Sequence, residues 1–456
     1  MTTKSLPLCF SALPFALALV AQANPQDNWP QWRGPLANGI APAANPPLEW
    51  SETKNVKWKV KLPGKGTATP IVWNDRVYLL TAIAPEKKSE TKPAEPAATN
   101  AATGGGQGGR PRGGGFGRGE KPTELHEFVV VCLDRKTGKK LWQKTAKQEI
   151  PHEGHHQDHG FASASPVTDG EVVLAYFGSR GLHCYDLDGN LKWSKDFGDM
   201  ITRAGFGEGA SPALYKDTVV VNWDDELDND FIIALDKRTG KELWKNARNE
   251  ATGWSTPFIL EYEGKAQVIV SATGKVRSYD LASGKELWSC GGLGSNPIPT
   301  PVVGGDTVYV MSGHREPKLM AITLGRTGDL TGTDAVRWSH DKSTPYVPSP
   351  VLIGDSLYFI SQNTGKLSCF DAKTGQPRYE AQQLEGIFGT YASLVTAKDR
   401  VYVLGREGKC VVLKHAPKVE ILATNKLDDR TDASIALAGR ELFVRGQESL
   451  YCIAEP

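Results

Sequence analysis

One phrase recurs along this chain: a small residue, an apolar one, Asp, two residues, Thr-Gly, then a Trp eight places after the Asp. It runs from Cys132-Leu133-Asp134 through Thr137-Gly138 to Trp142, and from Ala234-Leu235-Asp236 through Thr239-Gly240 to Trp244. It returns with Ser at Ser278-Tyr279-Asp280 to Trp288, with Tyr at Cys369-Phe370-Asp371 to Tyr379, and shortened at Asp186-Leu187-Asp188-Gly189 to Trp193. A self-similar unit at a period of roughly 40–50 residues specifies a propeller or solenoid. The Asp and Gly are turn chemistry between β-prone runs such as Phe128-Val129-Val130-Val131, so each phrase is a hairpin tip. A repeated Trp just beyond it reads as core between neighbouring sheets.

A second signal opens each unit: a small hydroxylated residue, usually before Pro, at Thr69, Ser165, Ser211, Thr256, Thr300 and Ser349, with degenerate copies at Ser393 and Ser434. Pro at the first residue of a strand removes no ladder bond. Eight openings imply an all-β, eight-bladed β-propeller of four-stranded antiparallel blades. The last blade lacks a fourth strand, and Asn55-Val56-Lys57-Trp58-Lys59-Val60-Lys61 is an alternating, Trp-bearing candidate to supply it. That pairing closes the ring and removes the exposed sheet edge.

Residues 1–23 read as a secretory signal, with Lys4, an apolar run from Leu6 to Val20 and Ala21-Gln22-Ala23, and the run is too short to span a bilayer. Residues 24–54 form an N-terminal extension, 55–456 the propeller, and 85–122 a Gly/Pro-rich insertion in blade 1, too apolar-poor to order. The residue directly after the cleavage site is Asn24 rather than Cys, so a periplasmic or secreted protein without lipid anchor is expected, and a monomer. A net charge of +1 argues against nucleic-acid partners and anionic membranes. Of the seven Cys, Cys132, Cys184, Cys369 and Cys452 share the small-residue position of the repeat, which suggests buried thiols rather than bridges.

Three loops carry chemistry at the expected channel mouth. The first contains His152, Glu153, His155, His156, Asp158 and His159. His152-Glu153-x-x-His156 spells a zinc-protease motif, yet Pro151, Gly154 and flanking strands leave no room for its helix. The imidazoles remain candidates for a metal such as Zn²⁺. The second loop offers Asp224, Glu226 and Asp228 as hard oxygen ligands for Ca²⁺, without the spacing of an EF-hand. His314 and Arg315 lie in the third. Trp223, Arg203, His314 and Arg315 are the candidate ligand-binding residues. No catalytic residues are assigned: Gly-x-Ser-x-Gly and the phosphate-binding P-loop are both missing.

The Ala/Cys-x-Asp-x-x-Thr-Gly-x-x-x-Trp unit resembles the quinoprotein, or PQQ-type, β-propeller repeat over nearly all of residues 55–454. That resemblance implies one of two branches. Quinoprotein alcohol dehydrogenases hold pyrroloquinoline quinone and Ca²⁺ at the channel mouth. The non-catalytic branch resembles a periplasmic lipoprotein that scaffolds outer-membrane barrel assembly. The dehydrogenases carry a vicinal Cys-Cys pair, and no two Cys are adjacent here, so PQQ is not expected. The resulting expectation is a non-catalytic binding or scaffolding module with a protein partner in the cell envelope or a small ligand. A PQQ-dependent oxidoreductase and a divalent-metal-binding propeller are the alternatives.

Overall fold

The repeat phrase builds two belts that lock successive blades together. In the computed structural model, which describes residues 27–85, 120–227 and 229–456, eight sheets follow one another along the chain. They occupy residues 71–149, 167–195, 213–247, 258–291, 302–340, 351–383, 395–426 and 436–453. Each has four antiparallel strands once Val56–Lys61 pairs with Ser449–Ile453 to complete the last one. The ring is therefore closed by the N-terminal strand. Residues 1–23, most of the 85–122 insertion and Asp228 lie outside the described residues.

The outer belt explains the phrase residue by residue. Asp236 Oδ1 accepts both the N–H and the hydroxyl of Thr239, fixing the turn, and Asp134, Asp280 and Asp371 do the same for Thr137, Ser283 and Thr374. The small residue faces the aromatic one across the third and fourth strands: Cys132 opposite Trp142, Ala234 opposite Trp244, Cys369 opposite Tyr379. Each indole then reaches into the next blade. Trp58, Trp142, Trp193, Trp244 and Trp338 donate their Nε1–H to the carbonyls of Arg135, Leu187, Lys237, Leu281 and Ala372, in each case the residue just after the repeat Asp. The glycine is needed for that approach. At Gly240 φ is +68°, and a Cβ there would stand 2.6 Å from the Trp193 ring.

The inner belt explains the second signal. The N–H of Thr69 donates to the Ser165 hydroxyl, Ser165 to Ser211 and Ser211 to Thr256, at 2.9–3.0 Å. Thr300 donates to Ser349, Ser349 to Ser393 and Ser393 to Ser434. Ser393 and Ser434 keep the bond without the Pro, so the hydroxyl is what the ring requires. Between blades 4 and 5 both belts lapse: Trp288 turns to Gln267 of its own blade, and the Thr300 hydroxyl is buried without a partner. An added strand compensates there, Gly328–Asp329 pairing in parallel with Trp288 and Ser289 on the outside of blade 4.

The N-terminal extension is not loose. Trp29 bridges to Val72 of blade 1, Thr168 of blade 2 donates to the Pro30 carbonyl, and Ile40–Ala41 adds in parallel to the first strand of blade 7. Between these contacts the chain crosses the ring. Arg33, 1% exposed, donates to the carbonyls of Leu394, Asn38 and Pro350, and burial holds its guanidinium down to about 9. All six cysteines among the described residues are buried and unpaired. No helix among those residues is long and apolar enough to cross a membrane.

Candidate functional site

The central channel holds a cavity of about 650 Å³, within the usual range for small-ligand sites. Inner-belt hydroxyls line its wall, and Trp32 of the N-terminal extension lines it too, its indole N–H 3.4 Å from the Ser434 hydroxyl. The remainder comes from loops of many blades: His156, Asp158 and His159 between blades 1 and 2, Arg203 and Phe206 between 2 and 3, Trp254 between 3 and 4, Asn296 between 4 and 5, and His314, Arg315 and Tyr346 from blade 5 and the loop after it.

The His-rich loop contains no helix, as its Pro and Gly dictate, and its imidazoles take separate partners. His152 Nε2 lies 2.6 Å from the Met200 carbonyl, His155 Nδ1 lies 2.7 Å from the His156 carbonyl, and His156 packs edge-on against Phe206. His156 and His159 face the cavity, whereas His152 and Glu153 line a second, smaller one. Burial, reinforced by His155 and His156, holds the His159 imidazole down to about 3. Among the described residues, no group of three or more His, Cys, Asp or Glu side chains is arranged to hold a metal ion.

Asp158 anchors this loop across the mouth. Its carboxylate sits 2.7 Å from Arg406 and 2.6 Å from Arg430, and accepts the Tyr391 hydroxyl at 3.1 Å. Both arginines also hold Asp432, at 2.6 and 3.2 Å. A loop leaving blade 1 is thereby tied to blades 7 and 8 by a shared two-acid, two-arginine network, part-buried enough to outweigh an ordinary surface pair.

The acidic loop packs against the end of its own blade. Trp223, expected at the mouth, is 2% exposed and stacked on Phe231 with ring centroids 5.5 Å apart, so it belongs to the wall between sheets and does not line the cavity. Asp224 is buried against Arg248 at 3.0 Å and accepts from Asn222 at 2.9 Å. Glu226 accepts the N–H and the hydroxyl of Thr252. Asp224 and Glu226 thus each hold a residue of the segment that leaves blade 3.

Arg203, His314 and Arg315 do converge on the cavity. Arg203 Nη1 donates to Asn296 Oδ1 at 3.2 Å, and the His314 ring lies over Tyr346 with centroids 4.9 Å apart. Burial first, then Arg315 and Arg203, holds His314 below the usual imidazole range. Three cavity residues other than glycine have left-handed backbone: Ala204 (φ 54°), Asn296 (φ 54°) and Arg315 (φ 59°). Such strain costs of order 1 kcal/mol or more per residue and collects at functional sites.

In the small second cavity, Glu208 accepts the N–H and hydroxyl of Ser179 at 2.7 and 2.6 Å, and burial pushes its carboxyl up to about 8. Gly178 makes room for it; a Cβ there would overlap the carboxylate. Trp32, Asn296, Tyr346 and Glu208 are site residues that the repeat pattern does not reveal. The dense Trp29-Pro30-Gln31-Trp32-Arg33-Gly34-Pro35 segment, set in an extension with no repeat of its own, is the signal for Trp32.

The comparisons with known proteins bear on this architecture. The family described as outer membrane protein assembly factor BamB matches residues 126–381. The chain belongs to this PQQ-repeat, BamB family. Proteins named outer membrane protein assembly factor BamB are 26% identical over 40% of the chain in Burkholderia pseudomallei and 22% identical over 62% in Shewanella oneidensis. The matched stretches span 44% and 66% of those relatives' lengths. Among solved structures, BamB from Moraxella catarrhalis superposes with a TM-score of 0.53 at 15% identity, covering 72% of this chain and 94% of that one. Quinohemoprotein alcohol dehydrogenase from Comamonas testosteroni superposes with 0.63 at 9% identity, covering 95% and 81%. At these identities the structural likeness shows the propeller fold alone.

Proposed function

We propose that the protein is an exported propeller that acts by binding rather than turnover, presenting its mouth loops to a protein partner in the cell envelope during outer-membrane protein assembly. The observation that carries this is the network around Asp158, which ties the loop between blades 1 and 2 to Arg406 and Arg430 across the mouth. A preorganised loop platform lowers the ordering cost of binding a partner. Membership of the BamB family supports the same reading.

Photo-crosslinking tests it. A crosslinker at exposed Gln157 should capture one predominant envelope protein, a crosslinker at rim residue Leu191 should not, and depletion of the protein should lower the level of folded outer-membrane proteins. Equal capture from rim and mouth, or unchanged outer-membrane proteins, counts against the proposal. So does dye-linked alcohol oxidation after incubation with pyrroloquinoline quinone and Ca²⁺.

A further inference from the structure

The charges lining the central cavity are unequally compensated. Both of its carboxylates, Asp158 and Asp432, are held by Arg406 and Arg430. Arg203 and Arg315 line the same cavity, and among the described residues neither is paired with a carboxylate; the side chain of Arg203 donates to the neutral Asn296 amide. Arg203 is half-buried and Arg315 is exposed at the open end, and two guanidiniums without counterions in one cavity raise the local potential and favour an anion. His314 lies with them on the same lining, its ring over Tyr346. Ala204, Asn296 and Arg315 all have left-handed backbone at this corner, which fixes the direction in which the two arginine side chains leave the chain. Tyr346 and Trp254 supply apolar surface beside it.

We propose that this cavity binds a small organic anion whose carboxylate or phosphate is held by Arg203 and Arg315 and whose apolar body packs against Tyr346 and Trp254. The proposal rests on the reading of the mouth as a binding face and names the ligand chemistry of its interior. Arg forks match carboxylate and phosphate geometry in two-point contacts, so the two headgroups share one recognition chemistry.

The test is calorimetric titration of the mature chain with benzoate, phenyl phosphate, inorganic phosphate and neutral benzamide. Saturable binding of benzoate or phenyl phosphate is expected, with benzamide at least about tenfold weaker, and the stronger of the two anions identifies the headgroup. Inorganic phosphate should bind more weakly than phenyl phosphate. Arg203→Gln and Arg315→Gln should each weaken the anion by roughly tenfold, about 1.4 kcal/mol. Anions that bind no better than benzamide overturn the proposal on the wild-type chain alone, whatever the variants do. Inorganic phosphate binding as tightly as phenyl phosphate overturns the role given to the aromatic wall. Should no anion bind while Gln157 still captures an envelope protein, the anion site falls and the partner-binding reading stands.

Discussion

Trp58, near the start of the chain, stands directly across from Cys452, near its end, in the same small-residue-to-Trp pairing that blades 1 to 5 build from contiguous sequence. Its indole also donates to Arg135 of blade 1. One residue therefore completes the last blade and ties it to the first. Trp58→Ala should cost about 3–5 kcal/mol, the usual range for truncating a buried ring. Removing residues 24–62 should destabilise far more than removing 86–121, which contains none of the described strands. Urea unfolding of the three variants checks this, and equal losses from the two deletions would defeat the closure argument.

The interlock between the repeat Gly and the preceding Trp makes a second, sharper prediction. Gly240 and Gly264 both have positive φ, +68° and +74°, but only Gly240 faces a neighbour, the Trp193 ring; nothing lies within 4 Å of a Cβ at Gly264. Both Ala variants carry the backbone penalty of about 1 kcal/mol. Gly240→Ala should lose a further 1–3 kcal/mol through overpacking. The difference between the two melting transitions measures the Trp contact. A difference near zero would show that the glycine serves the turn alone.

These interlocks also show why the fold was easier to read than the site. Asp236, Thr239, Gly240 and Trp244 recur with fixed spacing because several blades solve the same packing problem in the same way, so the period exposes them. Trp32 and Asn296 occur once, and their place in the cavity depends on contacts between segments far apart in sequence. Trp223 shows the reverse difficulty. It precedes an acidic run that suggests an exposed loop, but the register of its strand with Phe231 turns it into the wall. Arg203, His314 and Arg315 reach the cavity because each lies on a loop at the mouth end of its blade, a placement that strand order alone supplies.

The clamp at Asp158 predicts a local effect. Asp158→Asn keeps the shape of the side chain but removes the charge shared by Arg406 and Arg430, whose bonds to a carboxylate are worth about 1.5–3 kcal/mol. The two arginines retain Asp432, so the global transition should move little. Amide exchange over residues 151–160 should quicken by roughly tenfold or more, with the strands of blades 7 and 8 unchanged. Uniform acceleration across the ring would mean that the network supports the whole fold rather than the loop.

His159 and Glu208 predict opposite arms of the pH dependence of stability. His159 falls from 6.5 unfolded to about 3 folded, so between those values the unfolded chain binds the extra proton and stability rises with pH. Glu208 rises from 4.5 to about 8, so between those values the folded chain holds the proton and stability falls as pH rises. Each contributes at most one proton, about 1.4 kcal/mol per pH unit. Below pH 4.5 only His159 acts, from 4.5 to 6.5 the two slopes cancel, and from 6.5 to 8 only Glu208 acts. The pair therefore contributes a plateau between pH 4.5 and 6.5 with a decline on either side. His159→Gln should flatten the acid arm and Glu208→Gln the alkaline arm, read from urea midpoints across the series. An alkaline arm that survives Glu208→Gln would place the proton on another group and remove the buried carboxyl from the account.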